Sequence, residues 1–288
     1  MGVFSGITNF FTSLYLFSWD GVLVFGNLIL PNRPAGLIVP DGHPGFEGKW
    51  PEYVPAKEGD SRCSCPALNA LANHGIIAHD GRNVSFVDLA QQVQATYNLA
   101  PTFCIFLSRY VAGFMKKDYN KGAFDLKELD EHNKIEHDGS LIREDIYFEP
   151  DTAKIATPLI EALLDSASGK DADGQPILTY PDLAKALSQR QADSKANNPE
   201  FSTSAGLRMF GFGNCAAMLL VFGGKVEHVR PLLLEERIVD GWVPWNKKRN
   251  GITLGAFNVA SLKIGLRTKT VPPNVTGTLP VEGDEDPK

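Results

Sequence analysis

The chain has 288 residues, 43% hydrophobic and 22% charged, which excludes both a wholly disordered polymer and a polytopic membrane protein. Its 28 basic and 34 acidic residues leave a net charge of −6, with no electrostatic footprint for a nucleic-acid phosphate backbone. Four cysteines are too few for a disulfide-built scaffold, and 27 Gly with 19 Pro predict long irregular connections.

Residues 1–30 form the most apolar stretch, with Asp20 as its one charge. Phe4, Ile7, Phe10, Phe11 and Leu14 recur at helical spacing opposite Ser5, Thr8, Asn9 and Thr12, which predicts an uncharged amphipathic helix. Gly21 to Leu30 is a second, shorter apolar run. The first basic residue is Arg33 and no small-x-small exit follows, so a cleavable signal peptide is not the reading. Two readings stay open. One is membrane association through residues 1–30, as an uncleaved anchor or interfacial helix on the secretory pathway or an endomembrane; the other is a hydrophobic arm packed on the domain. From Pro31 to about Asp60, Pro and Gly dominate and predict an extended arm over the surface.

The segment RCSCPALNALANHG, Arg62 to Gly75, reads as a short helix with Pro66 in its first turn and Gly75 as its stop. Cys65 then sits at the N-cap, where unpaired amides and the helix dipole favour a thiolate and lower its pKa. Cys63 and Cys65 are one residue apart while Cys104 and Cys215 are isolated, so the paired ligand knuckles of a zinc site are missing. A lone thiolate here is a nucleophile in need of a base, a ligand holding haem iron from one side, or simply a small buried side chain.

Ser85 reads as an N-cap, with Asp88 completing a capping box and Phe86, Leu89, Val93 and Tyr97 on one face. In EHDGSLIRED, Glu136 and Ser140 share a face if the segment is helical, presenting two hard oxygens suited to Mg2+. His137 between them titrates near neutral pH and can shuttle a proton. Helical periodicity returns at Ile155, Leu159, Ile160, Leu163 and Leu164, and after Pro181 at Leu183 and Leu187. No series of alternating strands competes. The predicted architecture is all-α: a helical domain over 31–270 with long Pro/Gly-rich loops, preceded by the apolar segment 1–30 and followed by an acidic, solvated tail at 271–288.

The run CPALNALANHG, its EGDSRCSC lead-in and EHDGSLIRED at Glu136–Asp145 resemble the fungal haem-thiolate peroxidases, the chloroperoxidase and unspecific peroxygenase family, over about Pro31 to Trp245. The resemblance implies a single chloroperoxidase-like helical domain that binds haem b. The cysteine directly before Pro-Ala-Leu-Asn, Cys65, is then the axial iron ligand, Cys63 is an extra thiol, and Ser64 stands where the family often has Pro. Glu136, the backbone carbonyl of His137 and the Ser140 hydroxyl would hold Mg2+ beside a haem propionate. In short members of the family a glutamate on a later helix is the acid–base residue and the histidine of EHD orients it. The matching stretch is FGFGNCAAMLLVFGG, and Asn214 occupies the place of that glutamate, although asparagine carries no titrating proton. Arg208, six residues earlier, is a candidate to steady a peroxide anion, and His74 reads as a helix-end structural residue.

The implied activity is oxidation or oxygenation of an apolar organic substrate with hydrogen peroxide, in fungal secondary metabolism. Asn214 motivates two alternatives: a redox-neutral haem-dependent isomerase or dehydratase acting through His137, and a non-catalytic haem-binding protein.

Overall fold

In a computed structural model describing residues 3–274, with side chains from Phe11 onward, the chain opens with α1 (Val3–Ile29), one continuous helix. The sequence suggests two separate apolar runs, but Gly21 alone does not end a helix; its cost of about 1 kcal/mol is tolerated where no proline follows. The face assigned to Phe4, Ile7 and Phe10 lies outside the described side chains, and residues 275–288 of the tail lie outside the described residues. The Pro/Gly arm that follows carries two single-turn 3-10 helices, Ala35–Leu37 and Phe46–Gly48. It is pinned where the buried Trp50 indole donates to the Trp242 carbonyl at 2.9 Å.

The helix starts follow local chemistry. Pro66 opens α2 (Pro66–Asn73), and the Ser85 hydroxyl accepts the Asp88 amide at 3.3 Å to open α3 (Phe86–Tyr97). Only half of the predicted capping box forms, because the Asp88 carboxylate accepts from Gln92 one turn on instead. Pro101 opens α4 (Pro101–Phe114), which packs along α3. The predicted periodicity at Ile155 to Leu164 becomes α5 (Thr157–Asp165), and that after Pro181 becomes α6 (Tyr180–Asn197), opened by a reciprocal Thr179–Asp182 cap. Then come α7 (Ala205–Phe222), α8 (Val226–Glu235) and α9 (Leu254–Gly265).

Among the described residues the strands are two two-residue antiparallel ribbons, Val84–Ser85 with Ala123–Phe124 and Gly169–Lys170 with Pro176–Ile177, so the all-α expectation holds. One core joins the helices, built on wholly buried Leu71, Phe86, Leu126, Ile160, Leu187 and Ile264. By length and apolarity α7 could cross a membrane, yet it packs as a central helix against α6 and α9. Gly213 makes that contact close: a Cβ there would lie 3.1 Å from the Phe257 ring.

Candidate active site

Cys65 is the N-cap of α2, extended at φ −86° and ψ 107°, with Pro66 at the first helical position as the sequence predicts. Cys65 is a free cysteine, and the residue as a whole is half-buried. The expected lowering of its pKa is not what this environment produces. Burial pushes the Cys65 thiol up, and the amides of Leu68 and Ala67 with the Arg143 guanidinium offset only part of that. A sulfur in this setting becomes anionic only with a cation bound to it.

The loop before Cys65 is clamped from three directions. Asn69 accepts the Cys63 amide at 3.0 Å, donates to the Cys63 carbonyl at 2.7 Å and donates to Glu236 Oε1 at 2.7 Å. The Ser64 amide and hydroxyl both donate to the Asp130 carboxylate, at 2.9 and 2.8 Å. Arg143, 2% exposed, donates from Nε to the Ser64 carbonyl at 3.1 Å and from Nη2 to Glu236 Oε1 at 2.6 Å. Arg143 therefore ties the cysteine motif to EHDGSLIRED, 79 residues away in sequence. Cys63 is wholly buried, and burial holds its thiol well above the ordinary value, so it is a packed thiol.

Glu136 to Asp145 is not helical, which removes the argument that Glu136 and Ser140 share a helix face. Gly139 takes a left-handed φ of 72°, and its amide donates to the buried Asp145 carboxylate at 2.9 Å, folding the segment into a turn. Arg190 of α6 fastens that turn, donating to the Ser140 carbonyl at 3.0 Å and to Asp145 at 2.9 Å; Ser194 and Asn198 also donate to Asp145. Burial raises the Glu136 carboxyl, and His132 Nδ1 lies 2.7 Å from its Oε2. Among the described residues, Glu136 Oε1 and the His137 carbonyl make no hydrogen bond, and the Ser140 hydroxyl only accepts, from Ile142 at 3.5 Å. No group of three or more His, Cys, Asp or Glu able to hold a metal occurs among the described residues. A cation here would rest on one carboxylate and neutral oxygens.

His137 is 6% exposed, with Nδ1 2.9 Å from the Asp138 carbonyl. A carbonyl can only accept, so Nδ1 carries the proton and Nε2 is the bare nitrogen of the neutral ring. That Nε2 is buried and has no partner, and the ring lies against α7, where a Cβ on Gly211 would stand 3.5 Å from Cε1. Burial holds the His137 pKa below its ordinary 6.5 despite the carbonyl and the nearby Asp138 and Asp145 charges. Three of the four unpartnered buried side-chain polar atoms among the described residues belong to His137, Asp138 and Arg143.

Asn214 lies three residues beyond Gly211 on α7, exposed, and among the described residues no hydrogen bond joins it to His137. Arg208 is exposed as well. His74 is structural, as its helix-end position suggests: Nδ1 donates to the Pro51 carbonyl at 2.6 Å and Nε2 accepts the Ile238 amide at 3.0 Å. Asp130, Asp145 and Glu236 escaped the sequence reading, since a buried carboxylate in a loop has the same letter pattern as a solvated one.

The sequence profile described as peroxidase, family 2 matches residues 51–247. A chloroperoxidase from Leptoxyphium fumago is 37% identical over 36% of this chain, and an aromatic peroxygenase from Cyclocybe aegerita is 28% identical over 60% of it. An aromatic peroxidase from Fusarium equiseti is 27% identical over 52%. The matches span 29%, 47% and 39% of those relatives, less than half the length of each.

Proposed function

Because the chain belongs to peroxidase family 2, the fungal haem-thiolate peroxidases, we propose that it binds haem b through Cys65 and uses hydrogen peroxide to oxidise or oxygenate an apolar organic substrate. The observation that carries this reading is a free cysteine at a helix start, whose neighbour Ser64 is tied through Arg143 to a segment holding a buried, unpartnered histidine nitrogen. The donor set fits the cofactor: a single soft sulfur ligand, with no metal-binding cluster among the described residues, suits iron held from one side. When bound, haem supplies the oxidising chemistry with peroxide, aided by electron donation from the thiolate.

The protein's own part is positional and acid–base. The Asp130, Arg143 and Glu236 clamp sets where Cys65 sits, so the sulfur is preorganised for its ligand. His137, neutral at pH 7, accepts a proton at Nε2 while the Asp138 carbonyl fixes the tautomer. With asparagine at position 214, His137 both takes that proton and returns it. Glu136, the His137 carbonyl and the Ser140 hydroxyl are proposed to hold Mg2+ beside a haem propionate. The names of the relatives favour peroxide chemistry over the redox-neutral alternative. A role in fungal secondary metabolism and a place on the secretory pathway belong to the same proposal.

A dye-oxidation assay with haem-loaded protein tests it. Peroxide-dependent turnover that disappears in Cys65→Ala is the expected result, and equal turnover in the two proteins would remove Cys65 from the reaction.

A further inference from the structure

Helix α1 docks on the domain with most of its large apolar side chains turned outward. Its buried side chains are Leu16, Asp20 and Asn27, two of the three polar, with Trp19, Leu23 and Val24 half-buried beside them. Asp20 accepts the Leu254 and Gly255 amides at 2.9 Å each, capping the start of α9, and also accepts the Thr102 hydroxyl of α4. Asn27 donates to the Gly251 carbonyl at 2.9 Å and accepts the Asn250 amide at 2.8 Å. The outward face holds Leu14, Tyr15, Val22, Phe25, Leu28 and Ile29, each more than half exposed, with Leu28 at 76%. On α9, which packs against α1, Val259 and Leu262 share a face with the C-cap Leu266, and all three are also more than half exposed. A soluble helix turns its apolar side inward, and an uncharged apolar face of this extent needs a cover.

Charge identifies the cover. Residues 1–40 and 241–274, which supply both helices of this face, contain seven Lys and Arg against one acid, the buried Asp20, in a protein of net charge −6. Lys247, Lys248 and Arg249 are exposed, and this run is fastened to the C-terminal end of α1: Lys248 donates to the Asn27 carbonyl at 3.2 Å, and Arg33 Nε donates to the Arg249 carbonyl at 3.0 Å. Exposed Trp245 precedes the run and Tyr15 stands on α1 itself, amphipathic rings suited to a lipid headgroup layer. Two copies meeting through this face would oppose like charges.

We propose that the outward face of α1, with the adjoining side of α9, docks the domain onto the interface of an anionic lipid bilayer. Because Leu16, Asp20 and Asn27 hold α1 along the domain over three turns, this part of the helix lies in the membrane plane and does not cross it. The surface is independent of the haem reading, since none of its residues belongs to the Cys65 clamp or the EHDGS turn.

Flotation of the purified full chain with phosphatidylcholine vesicles, with and without ~30% phosphatidylserine, tests this directly. The chain is expected to rise with the anionic vesicles, with about ten-fold weaker binding to the neutral ones or at high salt. Phe25→Glu with Ile29→Glu, both at exposed positions, should stay at the bottom with an unchanged melting curve. Lys247→Glu with Lys248→Glu should lose the preference for anionic lipid. A wild-type chain that ignores both vesicles, a Phe25→Glu/Ile29→Glu chain that floats like wild type, or a dimer in sedimentation that this double variant dissociates would each overturn the proposal.

Discussion

At His137 two features act together: a carbonyl fixes which nitrogen carries the proton, and burial keeps the ring neutral. Its folded pKa lies below the 6.5 of the unfolded chain, so between those values the unfolded state binds more protons than the folded one. Stability is then fully present above 6.5 and is lost as pH falls through the folded pKa. Thermal melts at pH 7.5 and 5.5 should show a smaller Tm difference in His137→Gln than in wild type; an equal difference would mean that His137 charges freely in the fold. In turnover, His137→Gln should lower the peroxide-dependent rate about 10²-fold or more, the usual contribution of a positioned acid–base group. Asn214→Glu should raise that rate about 10²-fold if the second proton carrier is what this chain lacks, and an unchanged rate would place position 214 off the proton path. Cys65 was legible at this scale, because Pro66 and Gly75 bracket its helix in the letters. The tautomer of His137 was not, since it depends on a carbonyl whose direction the turn sets.

At the scale of elements, the clamp around Cys65 shows how two distant motifs become one site. Arg143 and Glu236 form a buried pair that also engages Ser64 and Asn69. Breaking such a pair leaves an uncompensated buried charge, so Glu236→Ala should destabilise the fold by about 3–5 kcal/mol, read as a lower denaturation midpoint. Ser64→Pro removes the amide and hydroxyl that Asp130 accepts, at about 1–3 kcal/mol, and a melting point equal to wild type would show the contact to be idle. Glu136 and Ser140 have the spacing of one helix face, yet the EHDGS segment is a turn. Gly139 at positive φ and the pull of Asp145 override that spacing, and neither force leaves a periodic trace. The starts of α3 and α4, by contrast, are set by Ser85 and Pro101 alone, where a local signal suffices.

For the whole molecule, the helical class and the irregular arm to Asp60 follow from periodicity and from Gly and Pro, which act locally. The orientation of α1 does not. Periodicity marks two faces but not which one the domain covers, and here the partners of Asp20 and Asn27 lie more than 220 residues away, except for Thr102. Sequence separation hides the clamp as well, since its two carboxylates, Asp130 and Glu236, lie 66 and 167 residues from the Ser64 and Asn69 groups they accept from. All of it converges on Cys65 as a ligand to iron, and one optical spectrum tests that most directly. Haem-loaded wild type, reduced under carbon monoxide, should show the red-shifted Soret band of thiolate ligation, and Cys65→Ala should lose it. A chain that takes up no hemin, or a variant that keeps the shifted band, would contradict the account.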